Sequence, residues 1–212
     1  MSMEIRELAV RDSFLVTPKV LRDKRGSFAE ICKADELEDA IGRPFRLAQM
    51  NYSVSQRGTV RGIHGVLIPP GQAKFVTCVR GAVRDFVVDI RLDSPTFGMF
   101  ASSVLDTESE QAMFVAEGLG HGFVALTDDA CVSYLCSTSY VPGTPFEIDP
   151  FDRTLDLPWD LTEEPLISDK DRMAPSLSDA AAAGLLSSYQ ECLDYYAGLR
   201  SEVSGAPRGR PG

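Results

Sequence analysis

From about Phe45 to Ile148 the chain runs as short apolar-rich segments cut by Gly, Pro, Asp and Ser: FRLAQMNYSV, TVRGIHGVLI, AKFVTCV, AVRDFVVDIR, SSVLD, AMFVAE, HGFVAL and ACVSYLCS. Runs this short, rich in β-branched and aromatic residues and bounded by turn formers, predict strands. With no helix-length amphipathic stretch between them they predict an all-β sandwich or barrel, and a jelly roll is the member whose interior readily holds a small ligand. Arg80-Gly81 reads as a tight turn, so a hairpin is expected between AKFVTCV and AVRDFVVDIR, the second run alternating Phe86, Val88 and Ile90 against Val87 and Asp89. Helix is confined to the edges. One short helix is expected at 35–40, ended by Gly42-Arg43-Pro44. A second helical segment follows Pro175, where Leu185, Tyr189, Cys192 and Tyr196 recur at helical spacing and predict packing onto the β core. The stretch from Ser201 lacks apolar periodicity and reads as a flexible tail. The expected organisation is one domain over 1–200, with the jelly-roll core at about 45–150 and a tail at 201–212.

At 212 residues the chain can bury a sizeable core without metal or disulfide staples. Acidic residues outnumber basic ones 31 to 21, so the surface repels polyanions and a nucleic-acid partner is not expected. No apolar run approaches the roughly 20 residues that cross a bilayer, and MSMEIRELAV lacks a signal-peptide core. The expectation is a cytoplasmic protein without membrane attachment. Cys32, Cys78, Cys131, Cys136 and Cys192 form no CxxC pair and show no zinc spacing, which predicts reduced core thiols.

Few residues offer chemistry. The two histidines, His64 and His121, each fall in the β region beside glycines, where backbone can approach a ligand. Lys74 opens an apolar strand, Tyr134 lies in the middle of another with Tyr140 six residues on, and Asp171 sits in SDKD ahead of the C-terminal helix. Taken alone, each is more often a packing, capping or solubilising residue, and spacing does not show that they meet.

Eight motifs taken in order say more: RDxRGxFxE (Arg22 to Glu30), AQxNxSxS (Ala48 to Ser55), GxxRGxH (Gly58 to His64), PPGQAK (Pro69 to Lys74), VVDIRxxSPTFG (Val87 to Gly98), GHGFxAL (Gly120 to Leu126), SYLCSxxY (Ser133 to Tyr140) and SDKD (Ser168 to Asp171). Together, from about Ile5 to Leu186, they strongly resemble the dTDP-4-dehydrorhamnose 3,5-epimerase family. The resemblance implies a cupin-type jelly roll, a homodimer, no metal or other cofactor, and a substrate such as dTDP-4-keto-6-deoxyglucose. A ketone at C4 acidifies the hydrogens on C3 and C5, so either carbon can be inverted by taking a proton from one face and returning one to the other. Residue by residue, the resemblance implies His64 as base, Asp171 as its partner, Lys74 as stabiliser of the C4 enolate and Tyr134 as donor from the opposite face. It implies binding roles for Arg25, Phe28 and Glu30 at the nucleotide and diphosphate, for Gln49, Asn51 and Arg61 along the ligand, and for His121 and Tyr140 near the sugar. Guanidinium suits diphosphate because its charge is permanent and its donors are paired.

The residue after His64 is Gly65, where many relatives carry Tyr or Phe, which bears on how many carbons are inverted if that aromatic holds the sugar. Relatives that invert a single carbon share the same motifs. Arginine outnumbers lysine sixteen to five and there is one asparagine, a bias of GC-rich coding that leans towards an antibiotic-sugar pathway. A metal-dependent cupin would need about three His and carboxylate ligands, and two histidines do not supply the usual set. A binding module has no chemical need of base and acid together, and a 3,4-ketoisomerase of the same class would move the carbonyl to C3 instead.

Overall fold

The computed structural model describes residues 3–204. In chain order the elements are β1 (Glu4–Glu7), β2 (Ser13–Thr17), β3 (Val20–Asp23), β4 (Gly26–Ala29), α1 (Ala34–Ile41), β5 (Gln49–Ser55), β6 (Val60–Val66), β7 (Lys74–Arg80) and β8 (Ala82–Val88). They continue with β9 (Phe100–Asp106), β10 (Ala112–Val115), β11 (Gly120–Ala125), β12 (Ala130–Cys136), β13 (Pro145–Glu147), α2 (Asp169–Arg172), α3 (Leu177–Ala182) and α4 (Tyr189–Ser204). All eight segments read as strands are strands. A six-stranded sheet of order β1-β2-β10-β7-β12-β5 faces a five-stranded sheet of order β13-β6-β11-β8-β9, and β3 and β4 form a separate two-stranded ribbon. This is the cupin-like jelly roll. Its core reaches further than 45–150: β2 pairs with β10 and carries β1, so the chain's first strands belong to the six-stranded sheet. At four and five residues they are too short for a clear alternation signal.

Between the sheets lie Val76 and Met113 from one wall and Val83, Val87 and Phe123 from the other. Phe86, Val88 and Ile90, on the outer side of the five-stranded sheet, are covered by Trp159, Leu155, Leu157 and Leu177. The Phe86 and Trp159 rings lie 4.6 Å apart. Because β8 is sealed on both faces, Asp89 is not the exposed position that its alternation implies; it is fully buried.

The expected hairpin at Arg80-Gly81 is absent. β7 is flanked by β10 and β12, and β8 by β11 and β9, so the turn carries the chain from one sheet to the other. Gly81 has φ +74°, a side chain there would collide with Thr127, and the Ala82 N–H donates to Thr127 Oγ1 at 2.9 Å rather than to a hairpin partner.

The C-terminal helical segment is split. Gly184 takes φ +69°, and the following residues run beside Leu92, whose N–H donates to Ser187 O at 3.0 Å and whose carbonyl accepts from Tyr189 N at 2.7 Å. Cys192 and Tyr196 are buried against the core as their spacing predicts, whereas Leu185 lies within the break between α3 and α4. α4 continues to Ser204, so the expected tail does not begin at Ser201; residues 205–212 lie outside those described. Three cysteines are core residues, Cys131 is half-buried, and Cys32, in the loop before α1, is exposed, contrary to expectation. No helix among the described residues is long and apolar enough to cross a membrane.

Candidate active site

Strict alternation would put Arg61 and His64 on opposite faces of β6, since they are three residues apart. A bulge between β6 and β11 corrects this: His121 pairs with His64 but Phe123 pairs with Arg61, so two residues of β11 match three of β6. Both side chains therefore line the same cleft, of about 580 Å³. The neighbouring glycines serve this crossing and not a ligand. A side chain on Gly62, which has φ +113°, would come within 2.6 Å of Gly122 Cα, and one on Gly122 within 2.9 Å of the Arg61 carbonyl.

His64 Nε2 lies 2.7 Å from Asp171 Oδ1. Ser168 caps α2 by accepting from the Asp171 N–H at 3.1 Å, which leaves the Asp171 carboxylate for the imidazole. Burial alone would raise the Asp171 carboxyl, but the His64 hydrogen bond and charge, the Ser168 hydroxyl and the Gly62 N–H hold it below the usual carboxylate range. An ionised carboxylate only accepts, so Nε2 carries the proton and donates, and Nδ1 keeps the basic lone pair. The imidazole is 39% exposed and Asp171 5%, so a fixed carboxylate presents a ring open to a ligand.

The facing wall comes from the six-stranded sheet. Cross-strand partners set Asn51 beside Tyr134, and Gln49, Cys136 and Lys74 in the next same-face row. Tyr134, Lys74, His121, Asn51, Arg61 and His64 share an inner hollow of about 300 Å³ that adjoins the cleft. Burial pulls the Lys74 ammonium below its ordinary value, with Cys136 and Asp85 opposing; burial pushes the Tyr134 phenol up, and Ser53 and Arg61 oppose. The Tyr134 and His121 rings meet edge to face at 6.0 Å.

His121 is held by a residue the sequence reading passes over. Its Nε2 lies 2.8 Å from Asp85 Oδ2, and Asp85 is fully buried with Oδ1 lacking a hydrogen-bond partner among the described residues. In VRDFVVDIR two carboxylates interrupt one apolar run, and that was the available signal. Glu147 and Lys170, ion-paired with each other, also line the cleft without having been assigned a role.

Gln49 and Tyr140 meet at the rim, where the Tyr140 N–H donates to Gln49 Oε1 at 2.7 Å, and Arg61 Nε donates to Ser55 Oγ at 3.0 Å. Three expected binding residues are not brought here. Arg25 and Phe28 line a separate hollow on the β3–β4 ribbon, where Asp23 holds the Arg25 guanidinium, and Glu30 pairs with Lys33 at 3.4 Å. Phe28 is 61% exposed. As for Gly65, a side chain there would run into the Phe146 ring, which packs with the outer cluster that holds Ile63. An aromatic ring from β13 thus covers the glycine on the sheet face opposite His64.

Among the described residues no three His, Cys, Asp or Glu side chains gather as a metal site requires. Residues 7–179 match the protein family described as dTDP-4-dehydrorhamnose 3,5-epimerase. The chain is 48% identical over 190 residues to a dTDP-4-dehydrorhamnose 3-epimerase of Streptomyces niveus, covering 90% of this chain and 91% of the relative. It is 43% identical over 201 residues to a dTDP-4-dehydrorhamnose 3,5-epimerase of Mycolicibacterium smegmatis, covering 95% and 99%. Among solved structures, ChmJ, a 3'-monoepimerase from Streptomyces bikiniensis in complex with dTDP-quinovose, superposes with a TM-score of 0.88 at 41% identity, covering 92% of this chain and 98% of that one.

Proposed function

The chain belongs to the dTDP-4-dehydrorhamnose 3,5-epimerase family, and on that premise we propose that this isomerase inverts a dTDP-4-keto-6-deoxyhexose at C3, C5 or both. One observation carries the reading: a carboxylate-held imidazole on one sheet and a phenol on the facing sheet line a single hollow that also holds the Lys74 ammonium. His64 Nδ1 takes the proton α to the C4 ketone. Lys74 stabilises the oxyanion that develops on C4, where the low dielectric magnifies its effect. Tyr134 returns a proton to the opposite face of the same carbon. Arg61 and Lys170 supply positive charge for the diphosphate, and the odd number of thiols suits a reducing cytoplasm.

Incubation with dTDP-4-keto-6-deoxyglucose in D₂O, followed by reduction and NMR, tests this. Deuterium with inversion at one or both carbons is expected, and no incorporation at either carbon sinks the reading. Inversion at C3 alone is the second reading, favoured by the 48% identity to a 3-epimerase. Tyr134→Phe is expected to keep deuterium wash-in while slowing inversion by about 10²-fold or more; wild-type inversion would remove Tyr134 from the role.

We read the β3–β4 ribbon as serving the cleft of a second copy in a homodimer, because Arg25 and the exposed Phe28 stand outside their own chain's cleft. Mixing inactive His64→Ala chains with inactive Arg25→Ala/Phe28→Ala chains should then restore activity, since one of the two mixed sites has both parts intact. A mixture as inactive as its components overturns the exchange.

A further inference from the structure

A tyrosine that gives its proton to carbon must be given another. Each inversion leaves one proton too many on His64 and one too few on Tyr134, whose half-buried ring faces the hollow that the sugar would fill. Among the described residues the Tyr134 hydroxyl has one hydrogen-bond partner, Ser53 Oγ at 3.1 Å. Ser53 shares its strand with Asn51 and Tyr52, which also line the hollow, but it is the one that bonds the phenol. It lies on β5, an edge strand, and is half-buried while its neighbours Tyr52 and Val54 are exposed. Its hydroxyl lines the inner hollow beside Arg61. Arg61 itself is engaged by Ser55, and a guanidinium does not release protons near neutral pH.

We infer that Ser53 is the positioning residue through which Tyr134 is recharged: its hydroxyl donates to the Tyr134 phenolate while accepting a proton from water at the open edge of β5. The balance closes without a co-reactant. Ser53 O–H breaks as Tyr134 O–H forms, a water proton restores Ser53, and His64 returns its extra proton to solvent. This rests on Tyr134 being the acid. An enzyme inverting two carbons must recharge between them, and one inverting a single carbon must recharge between turnovers.

Ser53→Ala tests the inference with dTDP-4-keto-6-deoxyglucose in two formats. With enzyme in excess in D₂O, the first inverted carbon should form at close to the wild-type rate, because the phenol starts protonated. In steady state kcat should fall roughly tenfold or more with KM little changed, small buffer acids should restore part of it, and Ser53→Thr, which keeps the hydroxyl, should recover most of the loss. Unchanged kcat overturns the inference. So does an equal fall in both formats without buffer rescue, which would mean that Ser53 merely orients the ring. Ser53→Ala in a Tyr134→Phe background separates the two readings: a Ser53 effect that persists without the phenol shows that Ser53 does not act through Tyr134, and wild-type inversion by Tyr134→Phe alone shows that Tyr134 is not the acid.

Discussion

His64→Ala is expected to abolish deuterium exchange at every carbon of the sugar, lowering turnover by 10²–10⁴-fold or more, the usual contribution of a positioned proton acceptor. Most of the effect should fall on activity. The imidazole is 39% exposed and among the described residues makes one side-chain hydrogen bond, to Asp171, whose carboxylate keeps the Ser168 and Gly62 contacts, so chemical denaturation should show a loss of about 1 kcal/mol. Asp171→Asn should also be severe, because an amide no longer supplies the negative charge that steadies the imidazolium and fixes its Nε2–H. Exchange at C3 or C5 at the wild-type rate in His64→Ala would exclude it as the base. Comparison with Tyr134→Phe is informative because the expected outcomes differ in kind: losing a base would stop wash-in, whereas losing an acid would leave wash-in without inversion.

The largest effect on stability is expected away from the cleft, at Asp89. Arg91 is fully buried, and its Nε and one terminal nitrogen donate to the two Asp89 oxygens at 2.9 and 2.8 Å. Asp12 takes the other nitrogen at 2.6 Å, and Ser94 and Thr96 each donate to Asp89 at 2.6 Å. Asp89→Leu would strand a buried guanidinium with partly exposed Asp12 as its remaining carboxylate. We expect a loss of about 3–5 kcal/mol in urea unfolding at neutral pH. Pairing it with Arg91→Met should recover much of that, since apolar replacement of both partners removes the stranded charge. Burial would raise the Asp89 carboxyl, but Arg91, Ser94 and Thr96 hold it below its ordinary value. A depressed carboxylate stabilises the fold above its unfolded pKa and ceases to do so as pH falls through its folded one. The gap between wild type and Asp89→Leu should therefore begin to narrow below about pH 4 and go on narrowing as pH falls through the lower folded value. A single mutant within about 1 kcal/mol of wild type would show that Asp12 alone satisfies Arg91.

Strand positions were legible because alternation and punctuation are local signals. Strand partners were not. Arg80-Gly81 looks the same whether the chain folds back on its neighbour or crosses to the other sheet, and the choice is made by β10, β11 and β12, which lie 30 or more residues further on. Asp89 and Arg91 illustrate a related limit, since a polar residue in an alternating strand reads as solvent-facing until its buried counter-charge is known. At the site, residue types and the ordered motifs indicated His64, Lys74, Tyr134 and Asp171, and the fold brings them to the cleft and the hollow that adjoins it. The bulge that turns Arg61 and His64 to the same side has no local signature beyond Gly62. Asp85 was hidden for the same reason as Asp89: its partner lies on another strand.

The same crossing pattern governs when the protein can first work. Among the described residues β6, which carries His64, finds its neighbours in β11 and β13, and β5, which carries Ser53, finds its neighbour in β12. A nascent chain released as far as Arg80 therefore holds the His64 strand without a sheet to sit in, and the imidazole gains its carboxylate when Asp171 has emerged. Ladders that join residues so far apart form late and slowly. A copy terminated before β11 therefore holds His64 on an unpaired strand and lacks Tyr134, so it carries no part-built site, only open strand edges.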